Sequence, residues 1–461
     1  MKRKLLSMVL AAAMTGTMLA GCGSSGDTSS APASTQAPAA ATEAAEPAAE
    51  AATQAAAPAE GDPSQDSGEI YMFIASPEYA DAINTLIDQY KSVAPNVTIN
   101  YETTQNDYPT MLKAKINSGD VPDIFSSTSG KEIDTYMDYS LDLSDQPLMD
   151  VIDPGVASAM ASPSTGKGMY GIAIKGNYFG LIYNKDILDK AGVEAPRTMD
   201  ELKAACEKIS AAGYKPFTTG FMEWWVYKHI GQHFLDAAAK EAGITAGELV
   251  TSIQNGEKKL EDYPIAYNNF FDFIDLAVKY GDDKPLETDL AGEEQAFATG
   301  QAAFMLGQGA WVEADVLKID PNIQIGFQGY PVDDKAEDCQ VITGSDQALR
   351  INKDSENLQA VLDFINWWYT SDYGQSWFTD VAGVVPPIQS DAKSEFTIIE
   401  QGKAEASANG SGELAIVDST DAYNQVFGEA VQAYIAGTAT REETAAALDE
   451  QWASIDGPQA Q

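Results

Sequence analysis

Basic residues are scarce in this chain: 28 Lys and Arg stand against 69 Asp and Glu, for a formal charge of −41. Binding to DNA or RNA depends on neutralising phosphates with Lys and Arg, so nucleic acid is excluded as a partner. Cysteine is scarcer still. Only Cys22, Cys206 and Cys339 occur, and Cys206 lies on the apolar side of a helical pattern with Leu202 and Ile209, where it reads as a buried free thiol. The fold therefore does not depend on disulfides. The two histidines, His229 and His233, stand one helical turn apart in "HIGQH". A zinc protease needs glutamate directly after the first histidine, and Ile230 stands there, so no metal is expected. GxSxG, P-loop and CxxC patterns are also missing, no cofactor is expected, and no spacing singles out a catalytic carboxylate pair.

Long hydrophobic runs are missing too, with one exception. "MKRKLLSMVLAAAMTGTMLAGC" opens with three basic residues, continues with an apolar run from Leu5 to Ala20 and ends in small residues. That run is too short and too rich in small residues for a membrane span and reads as a secretory signal, residues 1–21. Residues 22–68 contain almost only Ala, Pro, Ser, Thr, Gly and acids, with no aromatic or branched aliphatic side chain. Such a segment cannot bury enough apolar surface to offset its ordering entropy, and it reads as a tether. The remaining ~390 residues exceed one ordinary core and imply two lobes.

The globular part alternates. "EIYMFIAS", "NVTINYE" and "PDIFSS" read as strands separated by two helices, the first with Ala82, Ile83, Leu86, Ile87 and Tyr90 on one face and the second closed by Gly119. This β-α-β-α-β order predicts a parallel sheet, whose ligands gather at the carboxyl ends of the strands, here Ser76 to Glu78 and Ser126 to Ser129. Further helices are expected over residues 225–242, 268–280, 355–370, 423–436 and 441–453. Capping boxes are expected at Thr198 with Glu201 and at Thr440 with Glu443. The fold class is α/β.

Two dipeptides of tryptophan pose a question. Neighbouring residues on a helix point about 100° apart, so adjacent indoles do not easily share one buried face. Trp367 and Trp368 sit among Val361, Leu362, Phe364 and Ile365 and read as core. In "GFMEWWVYKH" at least one of Trp224 and Trp225 is left with a role outside the core, and Trp224 is preferred as the exposed one because Trp225 fits an apolar face with Ile230.

The segments "SGDVPDIF", "MYGIAIKGNYFGLIYNKDILDKAG", "PRTMDELKAACEKI", "FATGQAAFMLGQGAW", "ALRINKDSENLQAVLDFINWWYTSDYGQSWF" and "GVVPPI" occur here in one order. Their set resembles the extracellular solute-binding proteins of ABC sugar importers, the family that includes maltose-binding protein. "LAGC", ending at Cys22, is similar to the bacterial lipoprotein box, which implies lipidation of Cys22 and a place on the outer face of a membrane, with a Gram-positive cell preferred as the source and a diderm cell left open. The resemblance further implies a non-enzymatic, monomeric binder of two lobes joined by three crossing segments, with ligand in the cleft. Lobe 1 would take residues 69–175 and 343–384, and lobe 2 residues 176–342 and 385–461. The partners implied are a carbohydrate, an oligosaccharide by preference, and the permease subunits that receive it.

Sugars present an apolar C–H face and a rim of hydroxyls, which calls for flat aromatics beside planar polar groups. The family's G-x-W pattern falls on Gly309 to Trp311, making Trp311 the expected stacking platform, and Tyr423 matches a cleft aromatic of the family. The resemblance also implies that one of Trp224 and Trp225 faces the ligand cleft and the other the core. Polar contacts are expected from Ser76, Glu78, Ser126, Ser127, Asn177, Tyr178 and Asp346. Lys175 falls where maltose-binding protein carries an acid, which keeps an anionic sugar such as a uronate open. Two other readings stay open: an aromatic cage of Trp224, Trp311 and Tyr423 around a quaternary amine, and a surface enzyme acting on glycans.

Overall fold

The computed structural model describes residues 61–390 and 393–458. The chain enters its first strand, β1 (Ser67–Ile74), two residues before the expected start of the folded part at residue 69. Its approach is already ordered. Asp62 caps the turn Pro63–Gln65, the Gly61 N–H donates to Asp363 Oδ1 at 3.0 Å, and Asn357 Nδ2 donates to the Glu69 carbonyl at 2.8 Å. Residues 61–68 therefore belong to the folded part, because polar side chains on a distant helix supply partners that composition alone does not reveal. Cys22, the signal and most of the tether lie outside the described residues.

Strand β1 buries Ile70, Met72, Phe73 and Ile74, as a strand covered on both faces must. It pairs in parallel with β2 (Asn96–Thr103) and β3 (Ile124–Thr128), as the β-α-β-α-β pattern predicts. The helix Ala80–Tyr90 buries Ala82, Ile83, Leu86, Ile87 and Tyr90, the expected stripe. Gly119 closes the helix Tyr108–Ser118 at φ 81°, the left-handed cap that glycine adopts without a Cβ penalty.

The further strands among the described residues are β4 (Ile172–Ala173), β5 (Asn177–Phe179), β6 (Leu181–Asn184), β7 (Lys215–Thr218), β8 (Ala302–Met305), β9 (Ile325–Gln328), β10 (Val341–Gly344), β11 (Gln347–Ile351) and β12 (Ser411–Gly412). They complete a five-stranded sheet in the order β2-β1-β3-β11-β4, a four-stranded sheet β7-β8-β6-β9 and a small sheet β12-β10-β5. The small sheet lies where the chain passes between the larger ones: β10 runs antiparallel to β5, and the Gly176 N–H donates to the Val385 carbonyl at 2.8 Å. Three passages of the chain thus run side by side there.

Two helix expectations change. The 19-residue helix Trp224–Ala242 buries residues on every side, Trp224 through Phe234 without a gap. The helix predicted from Asn268 is preceded by a single wider turn, Ile265–Asn269, and is regular over Phe270–Tyr280. At Thr198 only half of the expected capping box forms. The Thr198 hydroxyl accepts from the Glu201 N–H, but the Glu201 carboxylate accepts from Arg197 one residue earlier. The box at Thr440 and Glu443 is complete. Cys206 and Cys339 are buried free thiols. Trp368 is fully buried, while Trp367 is half-buried between the rings of Tyr90 and Tyr373. No helix among the described residues is long and apolar enough to cross a membrane.

Candidate functional site

A cavity of about 390 Å³ lies at the carboxyl ends of β1 and β3, within the range of small-molecule sites. One wall comes from the loops of the five-stranded sheet: Ala75, Pro77 and Glu78 after β1, and Ser126 to Thr128 in β3. The opposite wall is the first two turns of the Trp224–Ala242 helix, with Trp224, Trp225, Lys228 and His229, joined by the start of the helix Leu290–Ala298 and by Trp311. Helix starts and parallel-strand ends therefore meet around one space.

Trp311 is held from behind. Gly309 leaves room for the indole: a Cβ there would sit 2.3 Å from Trp311 Cζ3 and 2.8 Å from the Tyr178 carbonyl. The Trp311 Nε1–H donates to Gln308 Oε1 at 3.1 Å, and Gln308 Nε2 donates to Glu293 Oε2 at 2.7 Å. Glu293 is fully buried and also accepts from the Leu306 N–H at 3.0 Å; burial holds its carboxyl well above the ordinary range. The Lys175 ammonium lies 5.3 Å from the Trp311 ring, 4.7 Å from that of Tyr79, and 3.4 Å from Glu78 Oε1.

The other end of the cavity is built from charges on both walls. Glu132 Oε2 accepts from the Thr128 N–H at 2.9 Å and from the Thr128 hydroxyl at 2.6 Å. Burial, aided by Asp421, pushes its carboxyl up. Lys228 lies 3.4 Å from Asp421 Oδ1 and 5.4 Å from the Trp224 ring. Asn177 Nδ2 donates to Asp346 Oδ1 at 2.9 Å, and Asp346 Oδ2 is 3.8 Å from His229 Nε2. Eight carboxylates and only two ammonium groups line the cavity.

Of the residues predicted from sequence, Trp224, Trp225, Trp311, Glu78, Ser126, Ser127, Lys175 and Asp346 line this cavity. The division of Trp224 and Trp225 into one cleft and one core residue does not hold: both line it, and they are 8% and 5% exposed. The expectation assumed a helix with a single buried face, whereas this helix is enclosed. Tyr423 is elsewhere. It is stacked on Trp452 with ring centroids 4.4 Å apart and 7° between planes, in a separate small pocket. Ser76 stands behind the wall, its hydroxyl donating to Gln347 Oε1 at 3.0 Å, and Gln347 is the residue that faces the cavity. Asn177 likewise acts through Asp346. Tyr178 packs against Gly402 on the helix Thr397–Asn409, where a Cβ on the glycine would come within 2.4 Å of the ring, and it does not reach the site.

Sequence reading missed Glu132, Glu223, Lys228, His229, Glu294 and Asp421. A signal existed for two of them: Glu223 and Asp421 stand at the starts of long helices, where acids favour the positive end of the dipole. The whole arrangement is an aromatic pocket rimmed by polar and charged side chains from both walls.

Known proteins place the fold. The melibiose/raffinose/stachyose-binding protein MelE of Bacillus subtilis (strain 168) is 24% identical over 312 residues, which cover 67% of this chain and 71% of that one. Among solved structures, the solute-binding protein RafE in complex with raffinose has a TM-score of 0.73 at 18% identity, covering 85% of this chain and all of the other. A chitin oligosaccharide binding protein has a TM-score of 0.72 at 18% identity, covering 85% and 99%. The two-lobed α/β architecture with three crossing segments is thereby shown, and the model for bacterial extracellular solute-binding proteins matches residues 75–375, so the chain belongs to that family.

Proposed function

We propose that this protein captures an uncharged oligosaccharide between its lobes and hands it to the permease of an ABC importer, anchored outside the membrane by a lipid on Cys22 and acting as a monomer. The observation that carries the reading is the cavity itself, with three indoles, Trp224, Trp225 and Trp311, among hydrogen-bonding groups from both walls. The Nε1–H groups of Trp224 and Trp225 are buried without a hydrogen-bond partner among the described residues. Buried donors of this kind cost free energy until an acceptor arrives, and sugar oxygens are acceptors. The names of MelE and of the raffinose and chitin-oligosaccharide binders support a saccharide over other solutes.

In this reading lobe 1 comprises residues 69–175 and 343–384, extended at its start to residue 61, and lobe 2 comprises residues 176–342 and 385–461. Ligand contacts from both lobes favour the closed form, and closure is what a permease recognises. A quaternary amine is disfavoured, because Tyr423 is absent from the cavity and the Trp224 and Trp311 rings already face Lys228 and Lys175.

Thermal unfolding of the purified chain with raffinose, stachyose, chitotriose, galacturonate oligomers, choline and betaine tests the reading. A neutral saccharide is expected to raise the melting temperature. A shift with choline or betaine alone would overturn the sugar assignment.

A further inference from the structure

The pair His229 and Asp346 belongs to the same cavity and deepens the reading just given, on which it rests. The His229 Nδ1 atom lies 3.0 Å from the Gly307 carbonyl, an acceptor only, so Nδ1 carries the proton. Gly307 holds that carbonyl in place at φ 73°, in a backbone position where a Cβ would strike Val226 Cγ1 at 2.3 Å. The neutral ring then presents a lone pair at Nε2. That atom is buried without a hydrogen-bond partner among the described residues, and the nearest carboxylate oxygen, Asp346 Oδ2, is 3.8 Å away. Asn177 fixes the other oxygen of Asp346 from behind.

Two acceptors thus stand side by side at the cavity wall, 3.8 Å apart, with no donor between them among the described residues. We infer that His229 and Asp346 form a paired-acceptor subsite that selects ligands by hydrogen-bond donors, satisfied by two hydroxyls on neighbouring carbons of a sugar ring or by one amine. A single hydroxyl has one proton and cannot serve both. The same feature rejects a carboxylate on that ring, which brings acceptors against acceptors.

The surroundings agree. His229 is packed among the rings of Phe179, Trp225 and Trp311, and the charged groups facing it are Lys228, Lys175 and Asp346. Burial first, then Lys228, hold its imidazole down at about 3, so it stays neutral across the physiological range. Burial opposes charge on Asp346, but Lys175 foremost among its neighbours outweighs this and leaves the carboxyl below its ordinary value. Lys175, the residue that pointed toward a uronate in the sequence, is committed to Glu78 at 3.4 Å. With eight carboxylates against two ammonium groups on the walls, repulsion adds to the missing donor in excluding an acidic sugar.

The test pairs calorimetric titration with nitrogen-15 NMR of labelled histidine on the full chain. Probes are raffinose, chitotriose, the corresponding glucosamine trimer and a galacturonate trimer. His229→Phe keeps a ring and deletes the acceptor; Asp346→Asn can leave its oxygen to Asn177 and turn a donor toward the ligand. The expected result is binding of a neutral sugar or of the amine-bearing trimer, no binding of the uronate, and a loss of at least tenfold in each variant. Raffinose or chitotriose as the better ligand assigns the donors to hydroxyls, and the glucosamine trimer assigns them to an amine. The NMR spectrum of the unliganded wild type is expected to show the Nδ1–H tautomer of His229 from pH 5 to 8, with the Nε2 signal moving when sugar binds. Affinity unchanged within twofold in both variants, tight uronate binding, or an Nε2–H tautomer would each overturn the subsite. Failure of every saccharide to bind would instead remove the proposed function, and the tautomer would still decide whether Nε2 is an acceptor.

Discussion

Trp311 reaches the cavity because two residues that do not line it hold the indole there. Gln308 accepts from its indole N–H, and Glu293 orders Gln308. Replacing Trp311 with Ala removes the platform and is expected to lower sugar affinity about 10–100-fold, the usual cost of losing a central aromatic anchor. Gln308→Met leaves the indole in the chain but frees its orientation, so a smaller loss of about 3–10-fold is expected, with the fold retained. Calorimetric titration of both variants checks this. Equal affinity in wild type and Gln308→Met would show that the hydrogen-bond chain does not orient the ring. A second residue-scale prediction concerns Glu294, whose carboxyl burial and Asp315 push up from 4.5 to about 7. Below pH 4.5 the group is protonated in folded and unfolded chains alike and costs nothing. As pH rises from 4.5 to about 7 the unfolded chain ionises first, so stability is lost across that window. Glu294→Gln removes the loss. The variant is expected to match wild type near pH 4.5 and to exceed it above pH 7 by about 1–3 kcal/mol, read from denaturant titrations. A difference independent of pH would mean that Glu294 is ionised in the fold.

At the scale of elements, the helix Asp421–Ile435 decides where Trp224 stands. It meets the Trp224–Ala242 helix through glycine: a Cβ on Gly428 would lie 2.1 Å from the Trp224 carbonyl oxygen, a backbone atom that cannot swing aside. Gly428→Ala is expected to push the helices apart, costing about 1–3 kcal/mol of stability and weakening sugar binding as well. Gly437 supplies the contrast. It has open space around its Cβ direction but φ 70°, so Gly437→Ala is expected to cost about 1–2 kcal/mol from backbone strain and leave affinity alone. Melting curves and titrations of the two variants separate packing at the site from strain away from it. These elements also mark what was legible in the sequence. The parallel core around β1 could be read, because Ile70 to Ile74 and the Ala82–Tyr90 stripe follow the periods of buried strand and amphipathic helix. The strand-end rule likewise found Glu78, Ser126 and Ser127. The enclosed Trp224–Ala242 helix could not be read, since its burial comes from partners distant in sequence, including the Asp421–Ile435 helix. Tyr423 was misplaced for a similar reason: its ring follows Trp452, a contact that no local pattern encodes.

For the whole molecule, the contacts that span the proposed lobes bear on closure. Asn106, beyond β2, donates through Nδ2 to Glu223 Oε2 at 2.8 Å, at the start of the Trp224–Ala242 helix. Lys131 Nζ, beyond β3, donates to Gln254 Oε1 at 2.9 Å. Under the proposed closure, such ties add to the closed form and not to an open one, so they would shift the population even where they never touch the ligand. Apparent affinity scales with the fraction of molecules able to close. Asn106 and Glu223 also border the cavity, so a loss of affinity alone would not separate closure from direct contact. Shape does. Small-angle scattering of the wild type is expected to show a smaller radius of gyration with a saturating sugar than without. Asn106→Ala is expected to weaken binding about 3–10-fold, through one charge-assisted hydrogen bond, while reaching the same compact radius once saturated. An unchanged radius on binding in the wild type would overturn closure as the signal. A variant that binds weakly and stays expanded at saturation would mean that Asn106 is required to reach the closed form, rather than one of several contacts that favour it.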